Sequence, residues 1–579
     1  MRKSLNFLFL CVCLFLISCS EDGGFVQSLA DREESAENVV KPEAFPDSVV
    51  VGEKDEDESV ISFSHSSGFY DSEFYLELQF SGEGKIVYTT DSKTIVEYSK
   101  PILIKDATEQ PNVYSMIEDI SRGYAEGVYK LPQYNVDKCT VVKACIKYAD
   151  GTYSPVQTRV YFVGLKGRDS VEGIGICSIS MNPDYLFDYE IGIYVLGKCF
   201  ADSPGYKYWH WANGNFRQKG REWERKASIQ FFDKNGSLQV SQPCGVRVKG
   251  GGSRGRAQKS FNIYARKDYD GYNKFKYDFF GTKYKAKKLT LFSGGDDDVS
   301  KSLDYTANEA CNDKNCEKVN FSTFHFVPYA LFLNGEYWGM YWLTEAYDDK
   351  YLEETYKLDS DDVIMIKSGE VEEGNDDDIN LWKDARSFLA NSDMTVAQNY
   401  EAANELIDVD SFIQYYATQI YIGRYNDWGN GNSNSGAWRS RAKDAGYNDG
   451  RWRWMLFDVN SGSMEQHLQT ANTLYFDCIK RLINSDAIFA SLVKNDDFRN
   501  KLKTEILYNS TNRFAANKME GLINAFVSSY YGNLEESCSR WYGYRSTRYL
   551  GIRSAFENRK SFFNGRSDAV AQYMADNLE

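Results

Sequence analysis

The sequence predicts an α+β protein: a small β-sandwich ahead of a larger, two-lobed unit in which strands come first and helices second. Three observations carry this. From Ser59 to about Leu165, apolar and polar residues alternate in short runs between turn residues, as in Phe74-Tyr75-Leu76-Glu77-Leu78-Gln79-Phe80 and Lys85-Ile86-Val87-Tyr88-Thr89-Thr90. From about Val171 to Tyr351 strand-like runs continue around one predicted helix. After Ile379 the apolar period becomes 3.6, through Leu381, Ala385, Phe388 and Leu389, then Phe412, Tyr415, Tyr416 and Ile420. A period of two places side chains alternately on the two faces of a sheet, and a period of 3.6 gives a helix one buried stripe.

The composition bounds what this chain can be. Its 579 residues, 42% hydrophobic and 15% aromatic, suit a folded protein with a sizeable core. With 67 basic against 83 acidic residues the formal charge is −16, which argues against nucleic acid as the partner.

Residues 1–18 read as a signal peptide. Arg2 and Lys3 precede an apolar run from Leu5 to Ile17, shorter than the ~20 residues that span a bilayer, and Leu16-Ile17-Ser18-Cys19 supplies a small-residue cleavage site. The segment resembles a bacterial lipoprotein signal, which implies lipidation at Cys19 and anchorage at the outer membrane or cell surface. Residues 19–58 then read as an acidic, solvated tether, with 13 Asp or Glu between Ser20 and Glu58 against three Lys or Arg. Residues 59–165 form the predicted sandwich. Its phrase Ile86 to Asp91, followed by Tyr98-Ser99-Lys100-Pro101-Ile102, resembles the fibronectin-type module at the C-termini of chitobiases, a spacer to which no chemistry is assigned.

Nine cysteines follow Cys19 in what reads as an oxidising compartment, so at least one is unpaired. Cys139 and Cys145 are too far apart along an extended strand to bridge, Cys311 and Cys316 could close a small loop, and no CxxC pairs suggest zinc.

The residues that could carry chemistry fall in the 171–579 unit, divided into a β-rich lobe (171–351) and a helical lobe (352–579). The first group is Lys249-Gly250-Gly251-Gly252-Ser253-Arg254-Gly255-Arg256, followed by Lys259. Glycines allow backbone N–H groups to turn onto an anion, and Arg247 to Lys288 carries 13 Lys or Arg against three Asp. A polyphosphate site is the economical reading. Gly250 and Gly255 have Walker A spacing, but Arg256-Ala257 stands where Lys and Ser/Thr are required. Gly251 to Gly255 satisfies G-x-S-x-G, but a strand-like run follows where a hydrolase elbow needs a helix. The second group is Asn426-Asp427-Trp428-Gly429-Asn430-Gly431-Asn432 together with Phe457-Asp458-Val459-Asn460. It offers hard oxygen ligands for Mg²⁺ and a spare carboxylate, the outline of phosphoryl transfer.

Together with Asp304-Tyr305-Thr306-Ala307-Asn308-Glu309 and Phe332-Leu333-Asn334-Gly335-Glu336-Tyr337-Trp338-Gly339, these motifs resemble, in order and spacing, the CotH family of spore-coat-protein-H-like atypical kinases. The resemblance implies a kinase-like fold using ATP and Mg²⁺ to phosphorylate a protein hydroxyl. Gly250, Gly251, Gly252, Ser253 and Arg254 would form the nucleotide loop, and Lys259 would hold phosphates with Glu309 as partner. Leu343 to Tyr347, including Glu345, would be the adenine hinge. Asp427 would be the catalytic Asp, with Asp458 and Asn432 as metal ligands and Asn430 as helper. Asn460 stands where the family commonly has an acid and could ligate through its carbonyl. Lys259, Asp427 and Asp458 would line one cleft. Because ATP is scarce outside the cytoplasm, a catalytically silent adhesion or glycan-binding scaffold, stacking aromatic side chains on sugars, is the alternative.

Overall fold

Alternation in the first hundred folded residues builds a five-stranded sheet. Lys85–Thr89, Thr140–Lys147 and Gln157–Val163 form its middle, with Gly68–Tyr70 and Val96–Glu97 at the edges. Two short pairs accompany it, Ser62–Phe63 with Leu78–Gln79 and Phe74–Leu76 with Ile102–Ile104. The run Phe74 to Phe80, predicted as one strand, breaks at Glu77, and its halves pair with different partners. Ile61, Leu76, Leu78 and Ile104 pack on Val142, Ala144, Ile146 and Tyr161 as a small core. The alternate residues of the same strands, Val141, Val160 and Phe162, turn the other way, onto Ile176, Phe232 and Phe332 of the next unit. Strand 140–147 is thus buried on both faces, which is why it reads as nearly continuously apolar.

The computed structural model describes residues 45–46, 61–205, 208–425, 428–429, 434–460, 462–465, 472–543 and 547–579. The 1–18 segment, Cys19, most of the 19–58 tether, Asp427, Asn430 and Asn432 lie outside them.

The next seven strands close into a barrel. They are β1 (Gly175–Ser180), β2 (Arg225–Phe232), β3 (Leu238–Lys249), β4 (Ser260–Tyr264), β5 (Lys288–Phe292), β6 (Val327–Leu333) and β7 (Glu336–Glu345), ordered β1-β2-β3-β4-β5-β7-β6. Closure comes from a parallel pairing of β1 with β6, where Ile176 faces Ala330 and Ser178 faces Phe332. Asn334 and Gly335 join β6 to β7 with φ of 48° and 92°, the positive pair a tight hairpin needs. Every residue of β7 is buried. Its Trp342 stacks on Tyr305 of helix α1 (Leu303–Asn312) at 4.9 Å, and its Trp338 meets Trp541 edge-on at 5.4 Å. Burial of side chains of this size stabilises by on the order of 2 kcal/mol each.

The remainder is mostly helical, including α2 (Ile379–Asn391), α3 (Val409–Tyr421), α4 (Ala516–Tyr542) and α5 (Thr547–Leu578). It also holds a four-stranded sheet that the 3.6 period does not announce: β8 (Val363–Lys367), β9 (Glu370–Glu373), β10 (Gly436–Ser440) and β11 (Arg453–Trp454), ordered β9-β8-β10-β11. Its strands are two to five residues long, too short for periodicity to assign. All nine cysteines after Cys19 are free thiols, Cys311 and Cys316 included. Among the described residues no helix is long and apolar enough to cross a membrane.

Candidate active site

The glycine-rich turn starts where β3 ends. Gly250 has φ of 120°, and a Cβ there would lie 2.2 Å from the Ser253 hydroxyl, so only glycine fits. After Gly251 the chain makes a short 3₁₀ turn, Gly252–Gly255. The two cations assigned to the nucleotide in this stretch point back into the protein. Arg254 donates from Nε to Gly250 O at 2.6 Å and from Nη1 to Phe216 O and Gln218 O at 3.1 and 2.9 Å. Lys259 is wholly buried, and its ammonium donates to the carbonyls of Ile120, Arg254 and Arg256 at 2.8, 2.8 and 2.6 Å. The rings of Phe216 and Tyr194 flank it at 4.0 and 5.0 Å. Burial, reinforced by the charges of Arg217 and Arg254, pushes its pKa well below the usual lysine value. This lysine holds the turn from behind.

Glu309 does not pair with it. On α1, that carboxyl feels His325, Asp313 and Glu345 instead, and burial raises its pKa. Glu345, at the end of β7, is also committed to His325, accepting from the backbone N–H at 2.7 Å and lying 2.6 Å from Nδ1.

The second cluster centres on Asp458. The apolar run Met455 to Phe457 is buried and delivers an exposed Asp458 at φ of 58°, a left-handed conformation unusual for a side chain larger than glycine. Behind it, the Asn460 amide shares its Nδ2 hydrogens between Asp458 Oδ1 at 2.9 Å and Asp304 Oδ2 at 2.8 Å. Asp304 Oδ1 accepts the Val459 N–H at 2.9 Å. Burial, then the charge of Asp458, raises the Asp304 carboxyl to about 6; the bonds from Asn460 and Val459 and the charge of Arg424 oppose this. Asn460 Oδ1 accepts the Asp296 N–H at 3.1 Å, so the carbonyl expected to ligate a metal is already engaged.

Lys249 and Lys367 feel the charge of this cluster, and Lys288 acts on both of them. Lys249 closes β3, and its ammonium lies 5.4 Å from the centre of the Phe292 ring. Burial, then repulsion from Lys367, lowers its pKa to about 8, while the charges of Asp458 and Asp304 act to raise it and that of Lys288 to lower it. Lys367, at the end of β8, sits 4.5 Å over the Phe457 ring. Burial lowers its pKa, with Glu372 and Asp458 opposing and Lys288 adding to the shift. Lys288 opens β5. Two ammonium groups within electrostatic reach of one exposed carboxylate, with a second carboxylate behind it and Lys288 acting on both lysines, gather opposite charges at one place.

Lys249, Lys288 and Lys367 are absent from the sequence-based assignment. For the first two a signal existed: Val248 and Leu289 point into the core, so alternation places Lys249 and Lys288 on the opposite face of the same sheet. Lys367 belongs to the sheet whose runs were too short to read. Asp427 and Asn432 lie outside the described residues, although Arg424, whose charge acts on Asp304, stands three residues before Asp427.

The family model described as CotH kinase protein matches residues 246–574, more than half of the chain. The chain belongs to the CotH family. No curated protein matches it. The CotH match begins at Val246, within β3, and so takes in Lys249, the glycine-rich turn, Asp304 and Asp458 but leaves out β1 and β2.

Proposed function

We propose that this CotH-family chain is an atypical kinase that binds ATP with Mg²⁺ between Lys249, Lys288, Lys367 and Asp458 and phosphorylates a protein hydroxyl. The observation that carries this reading is Asp458: an exposed carboxylate in a left-handed backbone conformation, within electrostatic reach of Lys249 and Lys367 and buttressed through Asn460 by Asp304. The donor set suits the cofactors. Mg²⁺ is generally held by one or two carboxylates together with phosphate oxygens. Among the described residues no group of three or more His, Cys, Asp or Glu side chains is placed to hold an ion by itself. Asp458 and Asn432 would hold the metal, and the lysines would bind the phosphates. ATP would supply the phosphoryl group, and its metal would neutralise developing charge. Asp427 would orient the acceptor hydroxyl and take its proton. Lys249, lowered to about 8, remains largely protonated at neutral pH, as a phosphate ligand must be. The protein would act as a lipoprotein anchored through Cys19 at the outer membrane or cell surface.

The adhesion alternative relied on surface aromatics. Six of the eleven tryptophans, Trp338, Trp342, Trp428, Trp438, Trp452 and Trp541, are fully buried and serve the core. The test is thermal. Mg²⁺–ATP at 100 times its Kd should stabilise the full chain by about 2.7 kcal/mol and raise its Tm. Asp458→Ala should abolish that rise. An unchanged Tm in the wild type at millimolar Mg²⁺–ATP sinks the nucleotide reading.

A further inference from the structure

A turn that binds phosphate attracts it with N–H groups, so its carbonyl dipoles must be kept away from the anion. Around the glycine-rich turn those carbonyls are occupied from behind. Gly250 O accepts from Arg254 Nε, and Gly251 O accepts from Arg217 Nη1 at 3.2 Å. Arg254 O and Arg256 O share the Lys259 ammonium. The carbonyl of Gly255 accepts the Ser121 hydroxyl at 2.6 Å.

Part of this wiring comes from far upstream. Ser121 and Ile120, whose carbonyl is the third acceptor of Lys259, belong to the chain between strand 102–104 and strand 140–147, ahead of the CotH match. This excursion leaves the small sheet and enters the larger unit, where Ile120 and Tyr129 are part of the main core. It is pinned along its length. The Glu336 carboxylate accepts the N–H groups of Val113, Tyr114 and Ser115 at 2.6 to 3.2 Å. Asp119 O accepts the Leu196 N–H at 2.7 Å, and the Lys130 N–H donates to Trp541 O at 3.1 Å. The Tyr129 ring lies 5.4 Å from both Trp209 and Tyr542. Ser121 itself is buried, and its hydroxyl also accepts the Gly123 N–H at 3.1 Å. A spacer would not need this wiring.

We propose that residues 113–130 are a positioning element of the phosphate site. The Ser121 hydroxyl and the Ile120 carbonyl fix Gly255 and Lys259, so that the turn presents its N–H side to the phosphates. This rests on the nucleotide reading above. The test uses the full chain and compares Mg²⁺–ATP with adenosine by calorimetric titration. Ser121→Ala removes both hydrogen bonds of that hydroxyl, to Gly255 O and from the Gly123 N–H, and should weaken ATP about three- to tenfold. Adenosine, which has no phosphate to feel the turn, should bind within about twofold of wild type. A general structural defect would weaken both ligands together, and that result, or unchanged ATP affinity beside a binding wild type, overturns the inference. Wild type that binds no Mg²⁺–ATP removes the nucleotide reading itself and this inference with it. If Ser121→Ala unfolds, Ser121→Cys, a slightly larger side chain with a weaker donor, should give the same split between ligands.

Discussion

At the scale of single residues, Lys249 and Asn460 bear on function in opposite ways. Keeping Lys249 charged in a part-buried site beside two other lysines costs stability. Lys249→Met should raise the stability of the ligand-free chain by about 1 kcal/mol at neutral pH and should lose ATP affinity. The sign follows from its titration. The pKa falls from 10.5 to about 8 on folding. Below about 8 the amine is protonated in both states and the folded state bears the full penalty. As pH rises from there toward 10.5, the folded amine is neutral while the unfolded one stays charged, and wild type recovers stability. The advantage of the Met variant should therefore be greatest below pH 8 and vanish near 10.5, as denaturant melts across that range would show. Asn460→Asp should do the reverse. It deletes both Nδ2 bonds and sets a third carboxylate against Asp304 and Asp458. The expected loss is about 2 kcal/mol in EDTA, partly restored by Mg²⁺. A variant as stable as wild type in EDTA would show that the amide is not the link between the two acids.

At the scale of elements, the glycine-rich turn depends on backbone geometry that only Gly250 allows. Gly250→Ala combines a positive φ with a 2.2 Å contact to the Ser253 hydroxyl, so it should destabilise the chain by about 1–3 kcal/mol and weaken ATP binding. A melt identical to wild type would mean that the turn adopts another shape in solution. The turn, the helix carrying Asp304 and the strand leading to Asp458 were all legible in the sequence, because glycine clusters and apolar runs ending in Asp are local signals. The direction of Lys259 was not. Its three carbonyl partners come from residues 120, 254 and 256, and no local pattern separates a lysine that faces a ligand from one that ties a loop. The surroundings of Glu309 and Glu345 were illegible for the same reason: tertiary packing brings His325 onto Glu345 and its charge within reach of Glu309.

At the scale of the whole molecule, the CotH-matched segment lacks part of the barrel. It begins at Val246 within β3, whereas the barrel closes only through β1, and β2 joins β1 to β3. The 113–130 excursion adds core residues from further upstream. Residues 246–574 expressed alone should show no cooperative unfolding, while a chain starting near residue 61 should melt as sharply as the full chain. A sharp transition in the shorter fragment would contradict the barrel closure. The order of strands before helices was readable from periodicity, but the closure was not, since a parallel pairing between residues 175–179 and 329–333 leaves no trace in spacing. The division at residue 171 likewise missed the excursion, because turn-rich sequence gives no sign of which core it enters.

The most direct measurement is calorimetric titration of Mg²⁺–ATP into the full chain and its Lys249→Met and Asp458→Ala variants. Saturable one-to-one binding by wild type, weakened at least about tenfold by either substitution, is the expected result. Wild-type binding that neither substitution alters would place the nucleotide elsewhere and contradict the site built around Asp458.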